Sequence, residues 1–504
     1  MRFACWWSSN PKPSNMRKRF EQQLRLGQVP INDAEINPKS RDSYVHLMRA
    51  IKEIFLTPEY NERIFSILEG KILSGKKATG RPGMDLWQIF VLAQARLGLN
   101  TNYDRIHTLA NTDTMLRTVM GVETEVGFEK QHFEYQQIVD NLNLLDDETV
   151  KKLNDVIVEF GHGIFKKKEG EALCLKSDSF VVESNVHFPA DYNLLWDCGR
   201  KCLDVLKHLL AKNPHITGWR KINDWEKELK NKMRSLGKAT VSGGKGKEER
   251  VKKAAREYLA KARALSGKLT KDKDQIPFNT QMELIWLIQL DMYLELLNKH
   301  IDLVERRIIK SEKIPHSEKI FSIFEAYTEW ITKGKLHPNV ELGKKVNITT
   351  DQFHLIVDYQ IMDHEADSAI VIPLADKLLA KYTIESWSFD KGYYSHITKQ
   401  LLKLSIPQVI MPKKGKLNQQ EKQEEIQPTF VKKRKQHSAV ESNINELEHR
   451  GLDRCPDRGY PHFRRYVGLA VCSYNLRKIG ARLIQQDRKK LQIIQQEQFR
   501  LKAA

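Results

Sequence analysis

Apolar and polar positions alternate along this 504-residue chain in distinct rhythms. Up to about residue 165 the rhythm is helical. In DLWQIFVLAQARLGL, Leu86, Ile89, Phe90, Ala93 and Leu97 fall on one face, and Ile106, Leu109 and Ala110 repeat the pattern after a polar turn at 100–104. The stretch EALCLKSDSFVVESNVHFPAD breaks that period: β-branched and apolar residues bounded by Pro189 predict a strand carrying Asp178. Helical periodicity returns from about Asp191 to His300. Between 340 and 412 the pattern predicts strand, strand, helix, strand, helix, strand, the alternation of an α/β domain, with Asp390 at the end of the strand IESWSF. Residues 413–435 are expected to form a loop, followed by a helix through AVESNINELEH and an amphipathic carboxy-terminal segment, FRRYVGLAVCSYNLRKIGARLI.

Charge adds a partner to this picture. Lysine and arginine total 83 against 64 acids, a net charge of +19, which favours a polyanion: nucleic acid first, an anionic membrane surface second. Residues 230–273 alone hold 15 Lys/Arg against 4 Asp/Glu. Their centre, LGKATVSGGKGKEER, predicts an exposed hairpin loop between two long helices. A solvated charged hairpin is the plain reading, but the surplus of one sign favours contact with a DNA backbone. The loop at 413–435 has eight basic and three acidic residues. The basic connector GKKATGRPG reads as a flexible turn or a phosphate contact. Six scattered cysteines fit a reducing cytoplasm rather than a disulfide scaffold. No run of about 18 apolar residues is present to span a bilayer, and MRFACWWSSNPKPSN does not read as a signal peptide.

The candidate chemistry rests on carboxylates. Asp178 within a strand and Asp390 at a strand end are costly there unless paired or bound to a cation, and carboxylate oxygens suit Mg²⁺. Two such ions would serve an in-line phosphodiester displacement. Near the carboxy terminus, Glu441, Glu446 and Glu448 compete for the role of third ligand. At 100° per residue, Val440, Ile444 and Leu447 form the buried stripe, Glu441 and Glu448 share one flank, and Glu446 points to the other. Rival sites read more simply as structure. Cys198, Cys202 and His208 lack a four-ligand zinc pattern, and Asp358, Asp363, His364, Glu365 and Asp367 read as a polar turn after a strand. Glu183 and Asp191 are backup ligands, and Gly161–Gly163 reads as a helix terminus. Tyr393 and Tyr394 are expected to pack on the sheet, with stacking on an unpaired base the alternative; Trp6, Trp7 and Trp387 are expected to be core anchors.

Three blocks resemble the DDE transposases of bacterial insertion sequences: DSFVVESNVHFPAD, FDKGYYSHITKQLLKLSIPQVIMPKKG and AVESNINELEHRGLDR. The helices from GRPGMDLWQIF to TMLRTVMG resemble that family's amino-terminal region. The resemblance spans roughly residues 75–200 and 340–480 and implies an α/β fold. Its core would be an RNase H-like mixed sheet flanked by helices, with an amino-terminal all-helical domain and a large basic helical insertion. The implied domains are 1–165 for DNA binding and assembly, 166–195 and 336–480 for the catalytic domain, 196–335 for the insertion and 481–504 for a helical tail.

The resemblance further implies that Asp178, Asp390 and Glu441, with Glu448 as reserve, hold two Mg²⁺ ions, for which Mn²⁺ can substitute. Water would attack at the transposon end, and the freed 3′-hydroxyl would attack target DNA. Double-stranded DNA, both transposon ends and target, is the implied partner of a homodimer in a prokaryotic cytoplasm, with no membrane involved. Phosphates would be held by Lys245, Lys247, Arg250, Lys413, Lys414, Lys432, Lys433, Arg434, His437, Arg450, Arg454, Arg458, Arg464 and Arg465. Two features depart from the family. The basic segment is inserted in the 212-residue gap between Asp178 and Asp390. Some relatives carry tyrosine seven before, arginine four before and lysine seven after the glutamate, where this chain has Arg434, His437 and Glu448. A nuclease without strand transfer, and an inactive DNA-binding descendant of a transposase, are the alternatives.

Overall fold

A computed structural model describes residues 17–21, 24, 27–75, 83–124, 131–332 and 339–503. Cys5, Trp6, Trp7 and most of the GKKATGRPG connector lie outside these residues. The chain divides into two compact units, Met1–Ser184 with Gly343–Ala504, and Asn185–Leu342. It is a mixed α/β protein with a helix-rich amino-terminal region. Among the described residues no helix is long and apolar enough to cross a membrane.

The first unit is built on a mixed sheet. Its strands are β1 (Leu173–Ser184), β2 (Val340–Thr350), β3 (Ile356–Ile361), β4 (Ile384–Phe389), β5 (Gln408–Ile410) and the short β6 (Arg454–Cys455). They run in the order β3-β2-β1-β4-β5, with β6 joined to the far end of β1. β2 runs antiparallel to both β1 and β3, whereas β4 and β6 run parallel to β1, and β5 parallel to β4. Each parallel crossover contains a helix, Val371–Leu379 before β4 and His396–Ser405 before β5. These helices cover one face of the sheet, where Leu173, Leu175, Trp387, Phe389 and Val409 join Leu374, Leu378 and Leu402 in one apolar cluster. Trp387 is fully buried and donates its indole N–H to Ser177 Oγ at 2.8 Å, which locks β1 to β4 from below.

Because side chains alternate along a strand, the other face of β1 and β4 presents Cys174, Lys176 and Asp178 beside Ser386 and Ser388. Across it lies the helix Pro428–Leu447. This corrects the expectation of a loop over 413–435: that stretch holds a helix, Gln419–Ile426, and the first two turns of the helix that carries Glu441. Asn418 and Glu421 form a reciprocal capping box, and Pro428 occupies the first helical turn, where its missing N–H costs nothing. The expected stripe of Val440, Ile444 and Leu447 is buried, and Phe430 and His437 extend it towards the amino end.

The amino-terminal helices do not form a unit of their own. Ser43–Leu56 packs along the carboxy-terminal helix, Tyr460–Ala503, as does Asp147–Ile164. Residues 481–503, expected as a helical tail, are the last part of that same helix. Gly480 makes the closest crossing: a Cβ there would lie 1.7 Å from the carbonyl oxygen of His46.

The second unit is a helical array of Asp191–Lys212, Ile222–Val241, Lys247–Lys273 and Gln281–Val304. Its core contains Cys198, Cys202, Leu206, Leu229, Tyr258, Leu265 and Leu297. Both cysteines are buried there, with thiols pushed well above their usual pKa by desolvation, while His208 stacks on Trp286. They are packing residues. The link between the two charged helices, residues 242–246, is exposed together with Lys245, Lys247 and Arg250. Ion pairs engage Lys232, Lys252, Lys261, Arg263, Lys268 and Lys273, so part of the local surplus is balanced along the helices.

Replacing Gly480 by alanine is expected to destabilise the protein by roughly 1–3 kcal/mol, since the clash is with backbone. Gly163→Ala, where a Cβ meets nothing within 4 Å, serves as the control and should leave the midpoint of thermal unfolding unchanged.

Candidate active site

The parallel register of β1 and β4 pairs Cys174 with Ser386 and Lys176 with Ser388, ending at Ser177 opposite Phe389. The next residue on each strand is an aspartate, Asp178 and Asp390. The helix above keeps step. Lys433 donates to Ser386 Oγ at 3.0 Å and approaches Cys174 Sγ at 3.3 Å. One turn later His437 Nδ1 meets Ser388 Oγ at 2.9 Å. One further turn brings Glu441. Two strand residues advance about 6.5 Å and four helical residues about 6 Å, so helix and strands remain matched over three tiers. The third tier holds Asp178, Asp390 and Glu441.

The electrostatics of Asp178 reflect this convergence. Its carboxyl is pushed up to about 7, first by burial and then by the like charges of Asp390, Glu441 and Asp367, against one backbone N–H from Ser179 at 2.7 Å. Asp390 and Glu441 themselves are exposed. Among the described residues no three His, Cys, Asp or Glu side chains stand close enough together to enclose a metal ion. The three carboxylates therefore share one field without closing into a cage. Hard oxygen donors on an open edge suit a divalent cation that retains positions for substrate oxygens.

Glu446 is taken by Lys478 at 2.7 Å, as its position on the opposite flank implied. Glu448 lies seven residues beyond Glu441, about 10 Å along a helix axis, in the π-helical turn Glu448–Leu452. Of the backup ligands, Glu183 sits at the far end of β1 beside β6, and Asp191 belongs to the second unit, where it pairs with Arg307. The acidic group after β3 is dispersed over different partners. Asp358 is buried within β3 and paired with Lys377; Asp363 is paired with Lys344 and Tyr460. Asp367 was missed as a site residue. Its carboxylate accepts from Ser179 Oγ at 2.8 Å and from Lys345 at 3.0 Å, and a Cβ on Gly392 would lie 3.2 Å from it.

Two expected phosphate contacts are corrected by burial. His437 is 9% exposed, and burial with the nearby Lys176 lowers its pKa to about 4 despite Asp390. It is neutral and braces the helix against β4. Arg465 is 3% exposed and donates to Asn143 at 2.7 Å. Lys413 is paired with Glu421, Arg434 with Glu425 and Arg464 with Asp147. Lys414, Lys432, Arg454 and Arg458 are exposed, while Lys433 and Arg450 are partly buried. Tyr393 is buried and donates to Asn347 Oδ1 at 2.7 Å, so it packs in the sheet and does not stack on a base.

Residues 310–476 match the family model of the transposase DDE domain. The chain carries a transposase DDE domain. Asp390 and Glu441 lie inside the matched span of this DDE domain, and Asp178 lies before it. No curated protein and no solved structure gave a match.

The raised pKa of Asp178 has a sign that can be tested. The unfolded carboxyl releases its proton near pH 4, the folded one near pH 7, so stability falls as pH rises through that window. In protein free of divalent metal, Asp178→Asn should be more stable than the parent by roughly 2–4 kcal/mol at pH 8. The difference should vanish below pH 4 in urea unfolding followed across pH.

Proposed function

We propose that the chain is an insertion-sequence transposase. It binds the terminal inverted repeats of its own element and catalyses phosphodiester hydrolysis followed by 3′-hydroxyl strand transfer. The tier of Asp178, Asp390 and Glu441, set by strand register and helix step on the sheet face opposite the apolar core, carries this reading. A mixed sheet with acids just beyond the last paired residues of two adjacent parallel strands supports an RNase H-like catalytic domain. DDE transposases generally use divalent metals, and the oxygen donors here fit Mg²⁺, or Mn²⁺ in its place. Two bound ions would supply charge stabilisation for both the attacking and the leaving oxygen. Asp178, Asp390 and Glu441 would hold the ions where the pairing of β1 with β4 ends. Asp367 fixes Ser179 and adds negative charge behind Asp178. His437 and Ser388 set the helix so that Glu441 reaches this level.

DNA is the substrate class of the family, and the exposed Lys245, Lys247, Arg250, Lys414 and Lys432 are the side chains offered to its phosphates. Neutralising any one of these five side chains should lower the slope of log affinity against log salt by about 0.9. Assembly as a homodimer on paired ends follows the family expectation.

The deciding experiment supplies DNA ends from the segment that flanks the coding region, pre-cut to expose a 3′-hydroxyl, together with a target plasmid and Mg²⁺. Joining to the target is expected; hydrolysis without joining would reduce the function to that of a nuclease. Asp390→Asn should lower the cleavage rate at least a thousandfold, about 4 kcal/mol of barrier, while DNA binding by electrophoretic shift persists. Unchanged cleavage in that variant would remove Asp390 from the site.

A further inference from the structure

Next to the carboxylate tier, on the same sheet face, a half-open pocket of about 440 Å³ runs under the glutamate-bearing helix. Lys176, Lys433, His354, Gln352, Gln436 and Ser388 line it. It is rich in donors and poor in carboxylates. Among the described residues Lys433 has the Ser386 hydroxyl and the Cys174 thiol within hydrogen-bond reach, and Lys176 reaches the Asp351 carbonyl oxygen at 3.4 Å. Neither lysine forms an ion pair among the described residues, in a molecule where most partly buried lysines do. The Asp351 carboxylate cannot serve them, because His162 and the backbone N–H groups of Phe353 and Leu355 already use it. Both lysines line the same pocket, and no carboxylate lines it with them. A dianionic or monoanionic oxygen group would offset their charges; a cation would add to them.

The tiers say where such an anion stands. Lys433 is level with Cys174 and Ser386, Lys176 with Ser388, and the scissile position with Asp178 and Asp390, one or two strand steps away. A step of about 6.5 Å is of the order of one nucleotide of backbone. We propose that this pocket is the subsite for the strand phosphate next to the scissile one. Lys176 and Lys433 thereby act as positioning residues that set which phosphodiester lies over the three carboxylates. The inference rests on the DNA-cleaving function proposed above and deepens it, since phosphate contacts of this kind fix register without reading sequence.

The test uses full-length protein and end DNA in which one phosphate at a time, around the cut, is replaced by an uncharged methylphosphonate. In the parent, neutralising the adjacent phosphate should slow cleavage roughly tenfold, the worth of one charged hydrogen bond. In Lys176→Met/Lys433→Met the same replacement should cause no further loss, and cuts should spread to neighbouring bonds. Lys433→Met alone, a change on the helix surface, should show part of the effect, and Lys433→Arg should restore both rate and position. If the parent cleaves but the methylphosphonate effect is equally large in both methionine variants, the pocket does not hold that phosphate, and the proposed function stands. If the parent cuts no end DNA under any metal, both the pocket assignment and the function fall together.

Discussion

Everything at the candidate site depends on a match of lengths. Two residues of strand and four residues of helix advance by nearly the same distance, so a helix laid along a pair of parallel strands can meet them at successive levels without drifting. Here the match runs from Lys433 with Ser386, through His437 with Ser388, to Glu441 above Asp178 and Asp390. The lower contacts are polar and short, and they fix the level of the third. The apolar face beneath, closed by Trp387 against Ser177, keeps β1 and β4 in the register that makes the aspartates neighbours.

That arrangement works against the stability of the metal-free fold. Asp178 is partly buried among like charges, Lys176 is partly buried beside Lys433, and among the described residues the buried His437 Nε2 has no hydrogen-bond partner. Each is costly in an apo protein. The costs lie in one strip along one sheet face, and opposite charges supplied from outside would relieve two of them: cations at the carboxylates and an anion at the lysines. A metal-bound phosphodiester strand brings both signs in that order. The rest of the unit is conventional in its packing, with one long carboxy-terminal helix gathering the amino-terminal helices at Gly480 and the sheet at β3.

Much of this was visible in local patterns. The order of strands and helices from 340 to 412 followed from period alone, as did the buried stripe Val440, Ile444 and Leu447 and the exposed basic tip around Lys245. The tiers also left a trace. Cys174, Lys176 and Asp178, and Ser386, Ser388 and Asp390, fall at every second position, with Leu173, Leu175, Trp387 and Phe389 among the residues between, and Lys433, His437 and Glu441 repeat at four. What hid them was the reading of 413–435 as a basic loop, whereas the Asn418–Glu421 capping box and Pro428 in a first turn start helices. The burial of His437 and Arg465 was not legible, because a polar side chain goes inside only when distant residues such as Ser388, Asn143 and Asp457 receive it. Asp367 was masked by its acidic neighbours, and its role depends on Ser179, nearly two hundred positions away.

The central claim is that register places Glu441, and not the flank-sharing Glu448, at the level of the two aspartates. Calorimetric titration of Mn²⁺ into the parent, Glu441→Gln and Glu448→Gln, each verified as folded, tests this without any catalytic readout. Glu441→Gln is expected to weaken or lose one binding event while Glu448→Gln titrates like the parent. Loss of that event in Glu448→Gln, with Glu441→Gln unaffected, would contradict it.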